Sequence, residues 1–486
     1  MDGTVVLAWT LNTVILMNIL LACFVIFVER RDAGSTWAWV LVLFFLPILG
    51  FIIYLFLGRQ LKSDNFYNLS VDEQTYYAHH IQGQLERLEK DEMEMPPAVR
   101  DKYRQLMEMN LRAPKSLIGL TNSLMILHDG HQKFDQLIAD IEHAQSEINI
   151  QYYIIQRDAL GRRLLDRLEE RAASGVKVRL LYDGVGSRSL KEKDFNVLLE
   201  HGGEVRIFFP AIFGPVNLRM NNRNHRKVCI IDGKIGYIGG FNVGNEYLGI
   251  DKKFGYWRDT HLRMEGDAVS LIQDRFILDW TYAGDKKHRE DESFAFASHK
   301  VRSMKPVQIV TSGPNSKTEH LKNMMIKMIM SAEHDIYIQT PYFIPDKSFM
   351  DACKMAVTSG VRMHIMIPGV PDHPFVFWAS RLFLGELLQY EGVYVYLYEE
   401  GFLHAKMMTV DSEIATVGTT NLDARSFRLN FEINALVFDS HTAMTLEELF
   451  ESDKQRCRVL TKKEYDRRSA GVKIKEGISG LLSPIL

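Results

Sequence analysis

Two short stretches carry the residues best suited to chemistry. His225, Lys227 and Asp232 stand in NHRKVCIID, and His404, Lys406 and Asp411 stand in LHAKMMTVD, both with the spacing H-x-K-x-x-x-x-D. A chain of this composition is expected to carry such a pattern twice by chance in roughly one case in a thousand, so one explanation must serve both copies. Side chains two residues apart on a strand share a face, which points each imidazole and its ammonium the same way. Two such pairs meeting in one pocket suit a two-step substitution at phosphorus. One imidazole attacks; the other protonates the leaving alcohol and then deprotonates the incoming one. The two ammoniums hold the non-bridging oxygens as charge develops. The aspartates lie five residues beyond the lysines, an odd offset that turns them to the opposite face of a regular strand. Asp232 and Asp411 are therefore expected to support the scaffold through salt bridges or backbone hydrogen bonds.

The flanks repeat as well. After six intervening residues each aspartate is followed by GGFN (Gly239 to Asn242) or GTTN (Gly418 to Asn421), which makes the Asn242 and Asn421 amides candidates for binding phosphate oxygens. A reactive histidine also needs a carboxylate to fix its tautomer. Asp259 in GYWRDTHLRMEG and Glu432 in LNFEINALV stand at comparable downstream positions and are the candidates for that role.

The elements that must position these residues are themselves repeated. EINIQYYIIQRD (Glu147 to Asp158) returns as DIYIQTPYFIPD (Asp335 to Asp346), ASGVKVRLLYDG (Ala173 to Gly184) as TSGVRMHIMIPG (Thr358 to Gly369), and GGEVRIFFP (Gly202 to Pro210) as EGVYVYLYE (Glu391 to Glu399). The Val/Ile/Tyr-rich runs lack clean polar alternation, as strands buried on both faces do. The expected fold is α/β, with two homologous lobes about a pseudo-twofold axis at 114–290 and 301–486, divided by the charged stretch GDKKHREDESFAFASHK (Gly284 to Lys300). The polar segment 61–113 reads as a helical linker, its QLERLEKDEMEM pattern stopped by MPPAV.

Composition narrows the function. Lys+Arg of 58 against Asp+Glu of 61 leaves a net charge of -3, so no global positive field exists to hold a nucleic acid. Four scattered cysteines form neither a disulfide framework nor a metal-binding pattern, and no metal or cofactor is expected. Residues 1–60 read as a helical hairpin in a membrane. Thr4 to Val28 and Thr36 to Leu57 are uncharged and long enough to cross about 30 Å of hydrocarbon, with Trp37, Trp39 and Tyr54 near the ends as an aromatic belt requires. The turn ERRDAGS carries Arg30 and Arg31, and the far side Arg59 and Lys62, so charge does not decide the orientation. No basic n-region precedes the first span, which argues against a cleaved leader.

With these motifs the chain resembles the phospholipase D superfamily, and with its N-terminal hairpin it resembles the bacterial cardiolipin synthases of that superfamily. The resemblance extends over essentially the whole chain. It implies a ping-pong exchange between two phosphatidylglycerol molecules in a bilayer, with His225 as the nucleophile, His404 as acid and base, and a phosphatidyl-histidine between. It also implies a multi-pass protein of the bacterial cell membrane with cytoplasmic lobes. A phospholipase D or another phosphatidyltransferase with a different acceptor shares the same motifs. Two apolar stretches, FFPAIFGPV (Phe208 to Val216) and PFVFWASRLFLGELL (Pro374 to Leu388), are candidates for lipid access. The basic cluster LRMNNRNHRK is a candidate to attract anionic lipid.

Overall fold

The β-rich runs without polar alternation become the inner strands of two mixed sheets. The computed structural model describes residues 3–28, 33–58, 61, 66–67, 69–112, 116–210, 221–251, 254–284, 301 and 303–483. In the first lobe seven strands lie in the order Asn122–Leu127, His261–Gly266, Ile235–Gly239, Val228–Ile231, Glu147–Tyr152, Lys177–Asp183 and Glu204–Phe208. The second lobe repeats this order with Val307–Ser312, Asn430–Val437, Ile414–Gly418, Met407–Val410, Asp335–Gln339, Arg362–Pro368 and Val393–Tyr398, then adds Cys457–Leu460 at the edge. In both lobes the strand that follows the His-Lys pair runs antiparallel to its two neighbours. The strands linked by helices are parallel, as crossover connections require.

The sequence repeat is a repeat of helix starts and stops. Asp158 caps the helix Ala159–Ala173 by accepting from the Gly161 N–H, and Asp346 caps Lys347–Thr358 by accepting from the Phe349 N–H. Each helix is followed by a left-handed glycine, Gly175 at φ +88° and Gly360 at φ +98°, the usual helix-ending position. ASGVKV and TSGVRM are thus the same stop followed by the same strand.

One continuous core runs from the first lobe's Ile230, Ile238 and Leu262 to the second lobe's Val417, Ile433 and Ala435, while a separate core fills the other face of the first sheet. The linker forms two helices, Val71–Glu89 and Pro97–Arg112. The first opens with a Ser70/Glu73 capping box. Pro97 opens the second, where a missing N–H is tolerated, so MPPAV divides two helices as well as ending one. Ile118–Gly119 pairs with Val307 and Gln308 on the second lobe's sheet, so the chain touches the second lobe before building the first.

At the N-terminus a helix spans Gly3–Phe27, and a second helical run is broken into Ala33–Phe45, Pro47–Ile53 and a π turn Tyr54–Gly58. The break falls at Leu46 (φ -125°, ψ 64°), immediately before Pro47, a residue position that proline drives out of the helical region. Val25, Leu43 and Tyr54 pack together, and the Trp39 and Tyr54 rings meet edge to face at 5.3 Å. Among the described residues no helix is long and apolar enough to cross a membrane. The charged turn 29–32 and most of the stretch dividing the lobes, 285–300, lie outside the described residues, as do Arg59 and Lys62.

Candidate active site

Short reciprocal strand pairs at the lobe interface set the site. Arg223–Asn224, just before the first motif, runs parallel to Asn430–Phe431 of the second lobe; Phe402–Leu403, just before the second motif, runs parallel to Trp257–Arg258 of the first. The pairing continues one residue further, where the His225 N–H donates to the Phe431 carbonyl at 2.9 Å and the His404 N–H donates to the Arg258 carbonyl at 2.7 Å. Each histidine therefore arrives beside the residue that follows in the opposite lobe. For His225 that residue is Glu432, and for His404 it is Asp259.

The side chains complete what the backbone begins. His225 Nδ1 lies 2.9 Å from Glu432 Oε1, and His404 Nδ1 lies 2.6 Å from Asp259 Oδ2. Since a carboxylate accepts, Nδ1 of His225 carries the proton and leaves Nε2 as its lone-pair nitrogen, while His404 Nδ1 faces both Asp259 and, at 2.9 Å, Lys406 Nζ. The two predicted carboxylates are brought to the histidines crosswise, each from the other lobe. Lys227 Nζ donates to the His225 carbonyl at 2.6 Å and Lys406 Nζ to the His404 carbonyl at 2.5 Å, each keeping further ammonium hydrogens for a ligand. Tyr153 closes one side, its ring 4.9 Å from that of His225, and Trp257 the other, its ring 5.3 Å from that of His404.

Burial dominates the electrostatics. It pulls His225 down to about 4, with Lys227 adding to the effect and Glu432 opposing it, and pulls His404 down to about 3, with Lys406 adding and Asp259 opposing. Each lysine's charge also reaches the other lobe's histidine, which places both pairs in one electrostatic unit. Both rings are neutral at pH 7, the form a nucleophile needs. Lys227 is drawn down to about 7 and Lys406 to about 8, mainly by burial. Burial pushes Glu432 upward, but His225, Lys227 and Thr419 outweigh it and hold the carboxyl below its ordinary value.

Asp232 and Asp411 lie at the other end of their strands, both at left-handed φ (+53° and +52°). Asp232 accepts from the N–H groups of Gln145, Ser146 and Glu147, and Asp411 from those of Glu333, His334 and Asp335. Lys102 of the linker adds a contact to Asp411 at 2.8 Å. The third motif residue thus stitches the loop that enters the neighbouring strand and touches no part of the histidine cluster.

Both asparagines are buried. Asn242 accepts from the Ile154 N–H at 3.1 Å and donates to the Tyr247 hydroxyl at 2.8 Å. Asn421 Oδ1 is buried without a partner among the described residues, and its side chain lies against Asp423. The flanks matter in another way. At Gly240 a Cβ would stand 2.0 Å from Asp259 Oδ1, so only glycine admits that carboxylate; at the corresponding Thr419 the hydroxyl donates to Glu432 at 2.5 Å. Sequence reasoning passed over Thr419 and Tyr153, although both fall inside the repeated stretches. Of the candidate lipid-access stretches, Phe208 and Phe209 are buried in an aromatic cluster with Phe66 and Phe431, and 211–216 lie outside the described residues. In the basic cluster Arg226 and Lys227 are buried, and 218–220 lie outside the described residues. Among the described residues no group of three His, Cys, Asp or Glu side chains is arranged to hold a metal.

Comparison with known proteins agrees with this architecture. A family model described as cardiolipin synthase, PLD-like domain, matches residues 137–255 and 325–454, one match per lobe, and a phospholipase D-nuclease N-terminal model matches 16–59. The chain is 48% identical to cardiolipin synthase 2 of Staphylococcus epidermidis, covering 100% of this chain and 99% of the relative. It is 47% identical to the major cardiolipin synthase ClsA of Bacillus subtilis, covering 98% of both. Among solved structures, phosphatidylserine synthase of Haemophilus influenzae shares the fold at a TM-score of 0.61 and 17% identity, covering 80% of this chain and 100% of that one. With a matched domain in each lobe and nearly half of all positions identical along its whole length, the chain belongs to the cardiolipin synthases of the phospholipase D superfamily.

Proposed function

We propose that the chain transfers a phosphatidyl group from one phosphatidylglycerol to the headgroup hydroxyl of a second, giving cardiolipin and glycerol. The observation that carries this reading is the pair of neutral imidazoles, each tied at Nδ1 to a carboxylate of the opposite lobe and each flanked by a buried lysine. His225 Nε2 attacks phosphorus and the bond to the headgroup glycerol breaks. The departing alkoxide takes its proton from His404 in its imidazolium form, the proton coming from solvent as the anionic phosphate enters and being returned to the ring by the acceptor hydroxyl in the second step. His404 then removes the proton of the incoming hydroxyl, whose oxygen displaces His225. The first step exchanges a P–O bond for the P–N bond of the phosphatidyl-histidine and the second restores a P–O bond, so over the whole exchange one phosphodiester replaces another and no nucleotide is called for. Assigning attack to His225 rests on the family resemblance, since the lobes are alike in the groups they offer.

The substrate implies a membrane. The uncharged helix Gly3–Phe27 and the broken helix after it leave Leu20, Phe27, Phe44 and Phe45 exposed, a surface that water disfavours and hydrocarbon accepts. The reading is of a two-span anchor in a bacterial cell membrane, with the lobes on the cytoplasmic side.

Purified full-length protein given phosphatidylglycerol alone in mixed micelles is expected to release equal amounts of cardiolipin and glycerol, read by lipid and headgroup analysis. Phosphatidic acid as the main product would transfer the proposal to a hydrolase.

A further inference from the structure

The two halves of the site are alike in their histidines, lysines and carboxylates, and unlike in what surrounds them. Two residues before His225 stands Arg223, on the face that alternation gives to His225 and Lys227; two residues before His404 stands Phe402, buried against Trp257 with the rings 4.8 Å apart. Four residues after Asn421 stands Arg425, and four after Asn242 stands Glu246. Both arginines fall at the His225 end. They lie beside the Tyr153 ring that meets His225, and each guanidinium weighs on that phenol. Burial and the charge of Arg223 together hold Arg425 below its ordinary value, so the two like charges are neighbours.

Such a pair favours an anion, and Asp183 and Asp423 act on it only from beyond ion-pair distance. Other deeply buried arginines are matched with carboxylates: Arg226 with Asp279 at 2.6 Å and Arg258 with Asp453 at 2.8 Å. Arg425 donates to the Asn221 carbonyl at 2.6 Å and to its side-chain oxygen at 3.1 Å, and Arg223 donates to the Asn222 carbonyl at 3.0 Å. Among the described residues neither has an acid within ion-pair distance. The nearby Asp183 already accepts from the N–H groups of Val185, Gly186 and Asn224, and Asp423 from that of Ser426. Two guanidiniums held by neutral oxygens beside the Tyr153 ring that meets His225 match the oxygens of a phosphate ester.

We propose that Arg223 and Arg425 form a second phosphate subsite, which binds the phosphodiester of the acceptor phospholipid that is not being transferred. This rests on the reading of the site as a phosphatidyltransferase. The reacting phosphate meets Lys227 and Lys406; the acceptor hydroxyl is joined by a glycerol unit to a phosphate of its own, and that phosphate distinguishes a phospholipid acceptor from glycerol or water.

The test compares two acceptors on one donor. Full-length protein in phosphatidylglycerol micelles is given labelled glycerol, so that label entering phosphatidylglycerol reports transfer to a neutral acceptor and cardiolipin reports transfer to a phosphate-bearing one. In Arg223→Gln and Arg425→Gln the ratio of cardiolipin formation to glycerol exchange is expected to fall about 10- to 100-fold, the loss of a charge-assisted contact, with partial recovery in Arg223→Lys. A parallel fall of both rates, or no change in the ratio, overturns the proposal. Inorganic phosphate separates the sources of the anion: inhibition of cardiolipin formation by millimolar phosphate, with the ratio unmoved in the variants, would mean a free-anion site and overturn the lipid subsite. Wild-type protein that performs neither reaction would instead overturn the transferase reading itself.

Discussion

At the scale of single residues, the decisive fact is that each motif imidazole takes its carboxylate from the other lobe. A carboxylate at Nδ1 fixes which ring nitrogen keeps the lone pair and stabilises the imidazolium when it forms. The His-Lys spacing and the candidate acids Asp259 and Glu432 were legible in the sequence because the pattern occurs twice. The crossing was not, because Glu432 lies 207 positions from His225 and Asp259 lies 145 from His404, and only the interface strands reveal that partners exchange. The neighbours of the two asparagines were not legible in the sequence: Ile154 and Tyr247 engage the Asn242 amide, while Asn421 Oδ1 has no partner among the described residues. Crossing makes a specific prediction. Glu432→Gln keeps the shape but weakens control of the His225 tautomer, and is expected to cut the rate of phosphatidyl-enzyme formation about 10²- to 10⁴-fold. Rapid-quench single-turnover trapping of labelled phosphatidylglycerol checks this. If Asp259→Asn slows attack while Glu432→Gln spares it, the histidine roles are reversed.

At the scale of elements, helix caps and stops explain why the repeat is readable. Asp158 and Asp346 begin corresponding helices, and Gly175 and Gly360 end them; these are local devices, so they leave local letters. The motif aspartates obey the same logic. Their odd offset from the lysines foretold a scaffold position, and the left-handed turn that begins at each delivers the carboxylate to three consecutive N–H groups of the loop entering the neighbouring strand. What escaped was long-range addition: Ile118–Gly119 joining the second sheet, and the linker helix lending Lys102 and Tyr103 to Asp411 and Glu413. Asp232→Ala leaves these N–H groups with no acceptor and is expected to lower stability by about 2–4 kcal/mol. Thermal unfolding would read this as a clear drop in Tm. The histidine geometry is carried by the opposite strand end, so activity per folded molecule should fall far less than in Glu432→Gln. An unchanged Tm with lost activity would return the aspartate to the chemistry.

At the scale of the whole molecule, the question is which surfaces meet lipid. The helix Ala470–Leu481 is built inside out: Ile474, Ile478 and Leu481 are 62%, 51% and 81% exposed, while Glu476 is fully buried, bound by Arg468 at 2.5 Å with Arg381 alongside. Spacing of i, i+4 and i+7 makes one apolar stripe. Arg468 and Arg381 hold the carboxylate inward, and the outward stripe is a surface that an apolar surrounding would stabilise. The helix packs against Pro374–Leu387, within the stretch singled out in the sequence for lipid access, whose Phe375 is 46% exposed. Lys473 and Lys475 flank the stripe and complement an anionic lipid surface, which selects a bilayer as the occupant over a second copy of the chain. To test this, a fluorophore is attached at Ile478→Cys in full-length protein with Cys23 and Cys457 replaced by serine, Cys229 and Cys353 being buried. In phosphatidylglycerol vesicles the probe should be quenched by nitroxide lipids and shielded from aqueous iodide, and Lys473→Glu with Lys475→Glu should weaken the nitroxide quenching. Ready quenching by iodide alone would leave the face in water. Shielding from both quenchers would mean that protein, and not lipid, covers it.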